Sequence, residues 1–223
     1  MEDVRGVSLH ELEDFESVLT AGVLAWVRKS ERRPRLRVFS SECHGKRLPP
    51  IKLEDYVARI MKYSNCSPVC FSVAIALMRR LASKFDEMIP INLNVHRLLL
   101  ACVVLAIKMM EDRHFDNLHF SKVGGLGLVE LNILEMDLLK RLNFDLRMDP
   151  EELQEAEAFL LSEVMSCNVN LGTRERAVLR NYGLVGKDEF HRKRPVSPSM
   201  EREATSKVGA DEAFPDAVRV FVH

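Results

Sequence analysis

Two charged residues stand in apolar company, and solubility explains neither of them. Lys108 is the first charge after the ten-residue apolar run Leu98–Ile107, directly ahead of Met109, Met110, Glu111 and Asp112. Its long stem can lie along apolar surface while the ammonium emerges at a helix end. Glu135 belongs to the segment from Leu128 to Asn143. On an ideal helix turning roughly 100° per residue, Leu128, Leu131, Leu134, Leu138, Leu139 and Leu142 share one arc of roughly 140°, and Glu135 falls inside it. Ile133 reads as the one apolar residue on the far side. A carboxylate so placed must reach a partner or the rim of the core, because burying it unpaired is expensive. Spacing alone favours an internal ion pair between Lys108 and Glu135, or two side chains reaching solvent independently. The sharper alternative is an exposed site that a partner molecule completes.

Other residues with chemical potential read as structural. Cys66 and Cys70 are separated by three residues, with no second cysteine or histidine pair at zinc spacing, so a metal site is disfavoured. His114 and His119 lie five apart in what reads as a loop and are taken as surface histidines. Gly124, Gly125 and Gly127 follow a helical segment rather than a strand and lack a nearby Gly-Lys-Ser/Thr, which points to a helix break and away from phosphate binding. No phosphate loop, Gly-x-Ser-x-Gly elbow, His-Glu-x-x-His pair or kinase His-Arg-Asp loop is present. The expectation is a non-enzyme with no catalytic residue, cofactor or metal. Ser197-Pro198, after Arg192-Lys193-Arg194, is either a minimal proline-directed phosphorylation site or an unmodified spacer.

The elements that must position Lys108 and Glu135 follow from pattern. The chain has 223 residues, 47% of them hydrophobic, enough for one helical core with tails. Lysine and arginine (32) balance aspartate and glutamate (33), so no global field draws the chain to nucleic acid or an anionic membrane, and a protein partner fits better. The apolar run falls short of the roughly 18 residues that span a bilayer. The acidic opening lacks the features of a secretory leader, and five scattered cysteines suit a reducing interior, cytoplasm or nucleus.

Ser8 and Glu11 can form a capping box for a helix from about 9 to 28, with Leu9, Leu12, Leu19, Val23 and Trp26 at helical spacing. A charged, proline-containing linker then runs to Pro50. From Leu53 to about Val164 the pattern gives about five consecutive helices. Ser67-Pro68 opens one to about Phe85, Asn94 restarts the chain for a central helix from Val95 to Met110, and Asp149-Pro150 opens one to about Val164. Beyond residue 166 the pattern decays into an expected mobile tail. The expected division is 1–48, a helix and linker; 49–165, the helical domain; and 166–223, the tail.

The run from Pro49-Pro50-Ile51 through Tyr56-Val57-Ala58-Arg59-Ile60-Met61-Lys62-Tyr63 to Asn65-Cys66-Ser67-Pro68 resembles the opening of the cyclin box in phosphate-pathway-like cyclins, the P-type or U-type of plants. Asn94 to Leu99, Ala106-Ile107-Lys108 with Glu111-Asp112, Lys122-Val123-Gly124-Gly125, and Glu130 to Glu135 through Leu142-Asn143-Phe144 continue the likeness in order over about residues 49 to 150. The resemblance implies an all-α fold, a five-helix cyclin box with an N-terminal flanking helix. It further implies a subunit that docks against the αC helix region of a cyclin-dependent protein kinase and activates it, with Lys108 and Glu135 contacting the kinase. There are two departures. Arg79 replaces the aspartate that commonly pairs with an arginine of the first box helix, a place the resemblance gives to Arg59 here, and Gly127 stands where a capping serine is common. The lost pair supports an alternative, a cyclin-fold scaffold or adaptor that activates no kinase. No second cyclin box is evident after residue 165.

Overall fold

Ten consecutive apolar residues have no side to turn to water, and the fold is organised around that constraint. The computed structural model describes residues 9–11, 14–32 and 41–166, and the statements below concern those residues. Helix α4 (Val95–Met110) carries the run, and every residue from Leu98 to Ile107 is at most 2% exposed. Around it pack α2 (Leu53–Ser64), α3 (Val69–Lys84), α5 (Asn117–Gly124) and α6 (Leu128–Arg141). Behind α3 lie α1 (Phe15–Glu31) and α7 (Pro150–Ser166), which pack on each other as well. The described residues are all-helical, with no strand.

The first helix begins later than its sequence pattern suggests. Leu9–Glu11 form a single 3-10 turn, and α1 starts at Phe15. Ser8 and Leu12 lie outside the described residues. Leu9 is nonetheless fully buried, and its N–H donates to Glu157 Oε2 at 2.9 Å. Along α1, Phe15, Val18, Leu19, Val23, Trp26 and Val27 are buried. Trp26 meets Phe159 of α7 edge to face at 5.0 Å, and Phe15 meets Phe71 of α3 at 6.2 Å. At Gly22 the helices come so close that a Cβ would overlap Leu160 of α7, so glycine is what permits the contact.

Local chemistry sets the other boundaries, in ways the sequence shows only partly. The Ser67 hydroxyl does not cap α3 but lies 3.6 Å from Cys70 Sγ, while Pro68 supplies the helical entry. Asn94 is buried and staples the preceding loop, accepting from Ile91 N–H at 2.8 Å and donating to the Ile89 carbonyl at 3.0 Å. Asp116 caps α5 by accepting from His119 N–H at 2.9 Å. That short helix is the element missed in the sequence count: between Leu53 and Val164 there are six helices, and His119 sits in one of them rather than in a loop. Gly125 closes α5 with φ of 67°, the left-handed cap that glycine adopts without penalty. α6 starts without a side-chain cap at Gly127, and Glu130 instead accepts from Arg97 Nη2 at 2.7 Å.

The two arginines that cannot pair with each other find other partners. Arg59 donates to the Lys122 carbonyl at 2.9 Å, joining α2 to the end of α5. Arg79 lies over the Phe159 ring, 4.7 Å from its centroid. Its neighbour Arg80 ties α3 to the chain after α6, donating to Glu152 Oε1 and to the carbonyls of Asp145 and Arg147, all within 2.9 Å.

Candidate functional site

Helix α4 leaves the core at its C-terminal end, and Lys108 is the first residue to emerge. A cation in the last turn also suits the helix dipole. α6 crosses beside it with Leu131, Leu134 and Leu138 in the core, so the arc that buries those leucines turns Glu135 toward α4. α5, pinned by the Asp116 cap, brings Asn117 to the same point. The result is a cluster: Lys108 Nζ donates to Glu135 Oε1 at 2.5 Å, and Asn117 Nδ2 donates to Glu135 Oε2 at 2.6 Å and to Asn132 Oδ1 at 2.7 Å. The Lys108 side chain is 30% exposed and that of Glu135 14%. Asn117 Oδ1 is buried and is the acceptor of this cluster left without a partner. Turning the amide over would set that oxygen against two other acceptors, so the orientation follows from the network.

The structure therefore brings together the two residues singled out in the sequence, and the internal pair exists in the chain by itself. Its setting is open, however. Val129 (71% exposed), Ile133 (47%) and Met136 (45%) form a stripe along the outer face of α6. Met110 at the end of α4, Phe115 before α5 and Leu118 within it are also exposed. Phe115 stacks on His119 at 3.9 Å, and His119 Nε2 donates to the Tyr63 carbonyl, so this rim has a fixed shape. Sequence reasoning named Ile133 alone on the far side of α6. Val129 and Met136 share that face at helical spacing and belong with it. Asn117 was missed entirely, because a polar residue at a helix start carries no signal until the Asp116 cap fixes the helix register. Ser197 lies outside the described residues.

A shaped patch of apolar side chains around a hydrogen-bonded ion pair suits the recognition of another protein, the ion pair giving orientation and the apolar rim contact area. It offers no nucleophile with an adjacent base.

Five helices, α2 to α6, with α4 buried at their centre and a helix packed beside them, make up the cyclin-box arrangement. The family model for cyclins matches residues 25–146, and the chain belongs to the cyclin family, whose members are regulatory proteins and not enzymes by themselves. It is a cyclin of the plant U-type and P-type kind. It is 38% identical to Cyclin-U4-1 of Arabidopsis thaliana over 138 residues, covering 61% of this chain and 66% of that one. It is 44% identical to Cyclin-U1-1 of the same plant over 101 residues, covering 45% and 48%. It is 41% identical to Cyclin-P3-1 of Oryza sativa subsp. japonica over 117 residues, covering 52% and 49%. The chain thus spans about half to two thirds of the length of these relatives. The family match begins inside α1, ahead of the Pro49 at which the likeness starts in the sequence, and ends before α7. No helix among the described residues is long and apolar enough to cross a membrane.

Proposed function

We propose that this cyclin binds a cyclin-dependent protein kinase through the surface centred on Lys108 and Glu135 and switches it on. The reading is supported by one observation above others: a half-buried, hydrogen-bonded ion pair at the mouth of the core, ringed by exposed apolar side chains of α4, α5 and α6. The mechanism is a population shift. A subunit that binds the kinase conformation in which the αC glutamate pairs with the ATP-site lysine better than it binds the inactive one enriches that conformation by its differential affinity. The kinase-binding unit is residues 8–165. Ser197 is a substrate of the bound kinase, and its phosphate would add about −1.5 to −2 charges beside Arg192-Lys193-Arg194.

The scaffold reading rests on the lost aspartate–arginine pair, Arg79 standing where the aspartate partner of Arg59 is common. Both arginines make other contacts within the fold, Arg59 with the Lys122 carbonyl and Arg79 with the Phe159 ring, so the lost pair by itself is weak support for that reading. Affinity capture of the chain, identification of any bound kinase and assay of that kinase with and without the chain test the proposal. A captured kinase whose activity rises on binding supports it; a captured kinase of unchanged activity returns the scaffold reading. Mass spectrometry after incubation with ATP tests Ser197, and an unmodified serine removes it as a substrate.

A further inference from the structure

A hydrogen-bonded cluster at a docking surface is defined as much by the groups it leaves over as by those it uses. The Glu135 carboxylate can only accept. Both of its oxygens are engaged, Oε1 by Lys108 Nζ at 2.5 Å and Oε2 by Asn117 Nδ2 at 2.6 Å. Asn117 must therefore present its NH2 group to Glu135, and the second proton of that group goes to Asn132 Oδ1 at 2.7 Å. Asn132 in turn must keep its oxygen on Asn117, which fixes its amide and leaves its own NH2 group on the outside. Asn132 is exposed, and no group among the described residues accepts from that amide. Lys108 uses one of its three protons on Glu135 and is 30% exposed. Asn117 Oδ1, the acceptor without a partner, is sealed from solvent. The outward face of the cluster thus offers donors.

Asn132 also stands among the apolar side chains of that surface. On α6, Val129 lies three residues before it, Ile133 one after and Met136 four after, and all three are exposed. Contact over those side chains expels water from the Asn132 amide, and a donor stripped of water without a new acceptor is costly. A partner seated here has to bring an acceptor. A carboxylate fits poorly, because Glu135 already neutralises Lys108 and leaves no positive charge to balance it. A neutral backbone carbonyl, of the kind left unpaired at helix and loop ends, meets the requirement.

We propose that Asn132 is a contact residue of the docking surface, its side-chain NH2 group donating to a main-chain carbonyl of the bound kinase while its oxygen stays on Asn117. The inference rests on the kinase reading and adds to it a residue that the Lys108–Glu135 pair does not imply.

Two substitutions at this one position separate an outward role from an inward one. Asn132→Asp keeps an oxygen for Asn117 and loses the donor, whereas Asn132→Ala loses both and sets nothing against the carbonyl. The probe is the cyclin-dependent kinase captured by the wild-type chain. Its dissociation constants with the full chain and the variants are measured well below the melting temperatures, and again in about 0.5 M salt, where screening suppresses the long-range field of the added charge. Asn132→Ala is expected to bind about two- to tenfold more weakly than wild type, and Asn132→Asp, with oxygen facing oxygen, more weakly still, by about tenfold or more in either salt. A purely internal role gives the reverse order, since Asp preserves the bond to Asn117 that Ala removes. A loss for Asn132→Asp no greater than that for Asn132→Ala, or one that vanishes in salt, overturns the proposal. Lys108→Ala tells the two failures apart. Weaker binding by that variant beside an unaffected Asn132→Asp removes this inference and leaves the kinase reading standing; wild-type binding by both, or capture of no kinase at all, removes the two together.

Discussion

Charged groups lie against the core where α1 meets α7 and where α4, α5 and α6 meet, and the two places treat them in opposite ways. Where α1 meets α7, Glu157 and Glu163 are each 2% exposed. Glu157 accepts from Leu9 N–H and from His10 Nδ1 at 2.8 Å, and Glu163 pairs with Lys29 at 2.5 Å. The apolar side chains beside them, Trp26 and Leu160, are covered. Where α4, α5 and α6 meet, the Lys108–Glu135 pair is made with the same economy, yet the apolar side chains beside it face outward. A buried carboxylate with covered neighbours holds the protein together. A hydrogen-bonded pair with uncovered neighbours keeps a surface in shape for something else.

The first way to break this contrast is to remove α1. A chain beginning at Leu53 loses the burial of Phe15, Val18, Leu19, Val23, Trp26 and Val27. Each large apolar side chain contributes about 1.5 to 3 kcal/mol. Several such losses rival the whole stability of an ordinary domain, about 5 to 15 kcal/mol. The truncated chain is expected to lose its cooperative thermal transition, whereas residues 8–165 keep theirs. Equal melting temperatures would show α1 to be dispensable and the contrast to be false.

The second prediction moves to the open side. Lys108→Ala and Glu135→Ala should each weaken kinase binding, by about 2 to 5 kcal/mol if the removed charge meets a buried partner on the kinase. Their melting temperatures should stay near that of the wild type, and wild-type binding by both variants would remove the pair from the interface. Glu157→Ala is the matched control: with Leu9 N–H and His10 left without their acceptor, stability should fall by about 1 to 3 kcal/mol while kinase affinity at a temperature well below the melt is unchanged. The smallest effect sharpens the boundary. Ile133→Ser should cost about 1 kcal/mol in binding and move stability by less than about 0.5 kcal/mol, since the side chain is already half exposed. A larger loss in the melt than in binding would place Ile133 with the core.

Much of this architecture was legible in the sequence because burial leaves a periodic record. The unbroken apolar run located α4, and the arc of leucines located both α6 and the misplaced Glu135. The Asp149-Pro150 start of α7 needed only local chemistry. What the sequence hid was short or relational. α5 is eight residues long, too short for its apolar period to show, and without it Asn117 has no place in the site. Val129 and Met136 were overlooked because an apolar residue on a helix says nothing about coverage until its neighbours are known. Arg59 meets a carbonyl and Arg79 a ring from helices distant in the chain, contacts that the missing aspartate–arginine pair gives no hint of in the sequence.

Arg80 has a consequence of a mechanical kind. The cyclin match ends at residue 146, where α6 has finished and α7 has yet to begin, and a seam of that sort is where a chain ordinarily bends. Here a single guanidinium rooted in α3 grips the carbonyls on either side of the seam, at residues 145 and 147, and a carboxylate in the first turn of α7. Its planar fork holds direction as well as distance, so the joint is braced against bending. α7 therefore behaves as a spar bolted to the box. A push on it is carried into α3, the helix that packs most closely on α4, and the boundary drawn by sequence similarity is no boundary for the transmission of force.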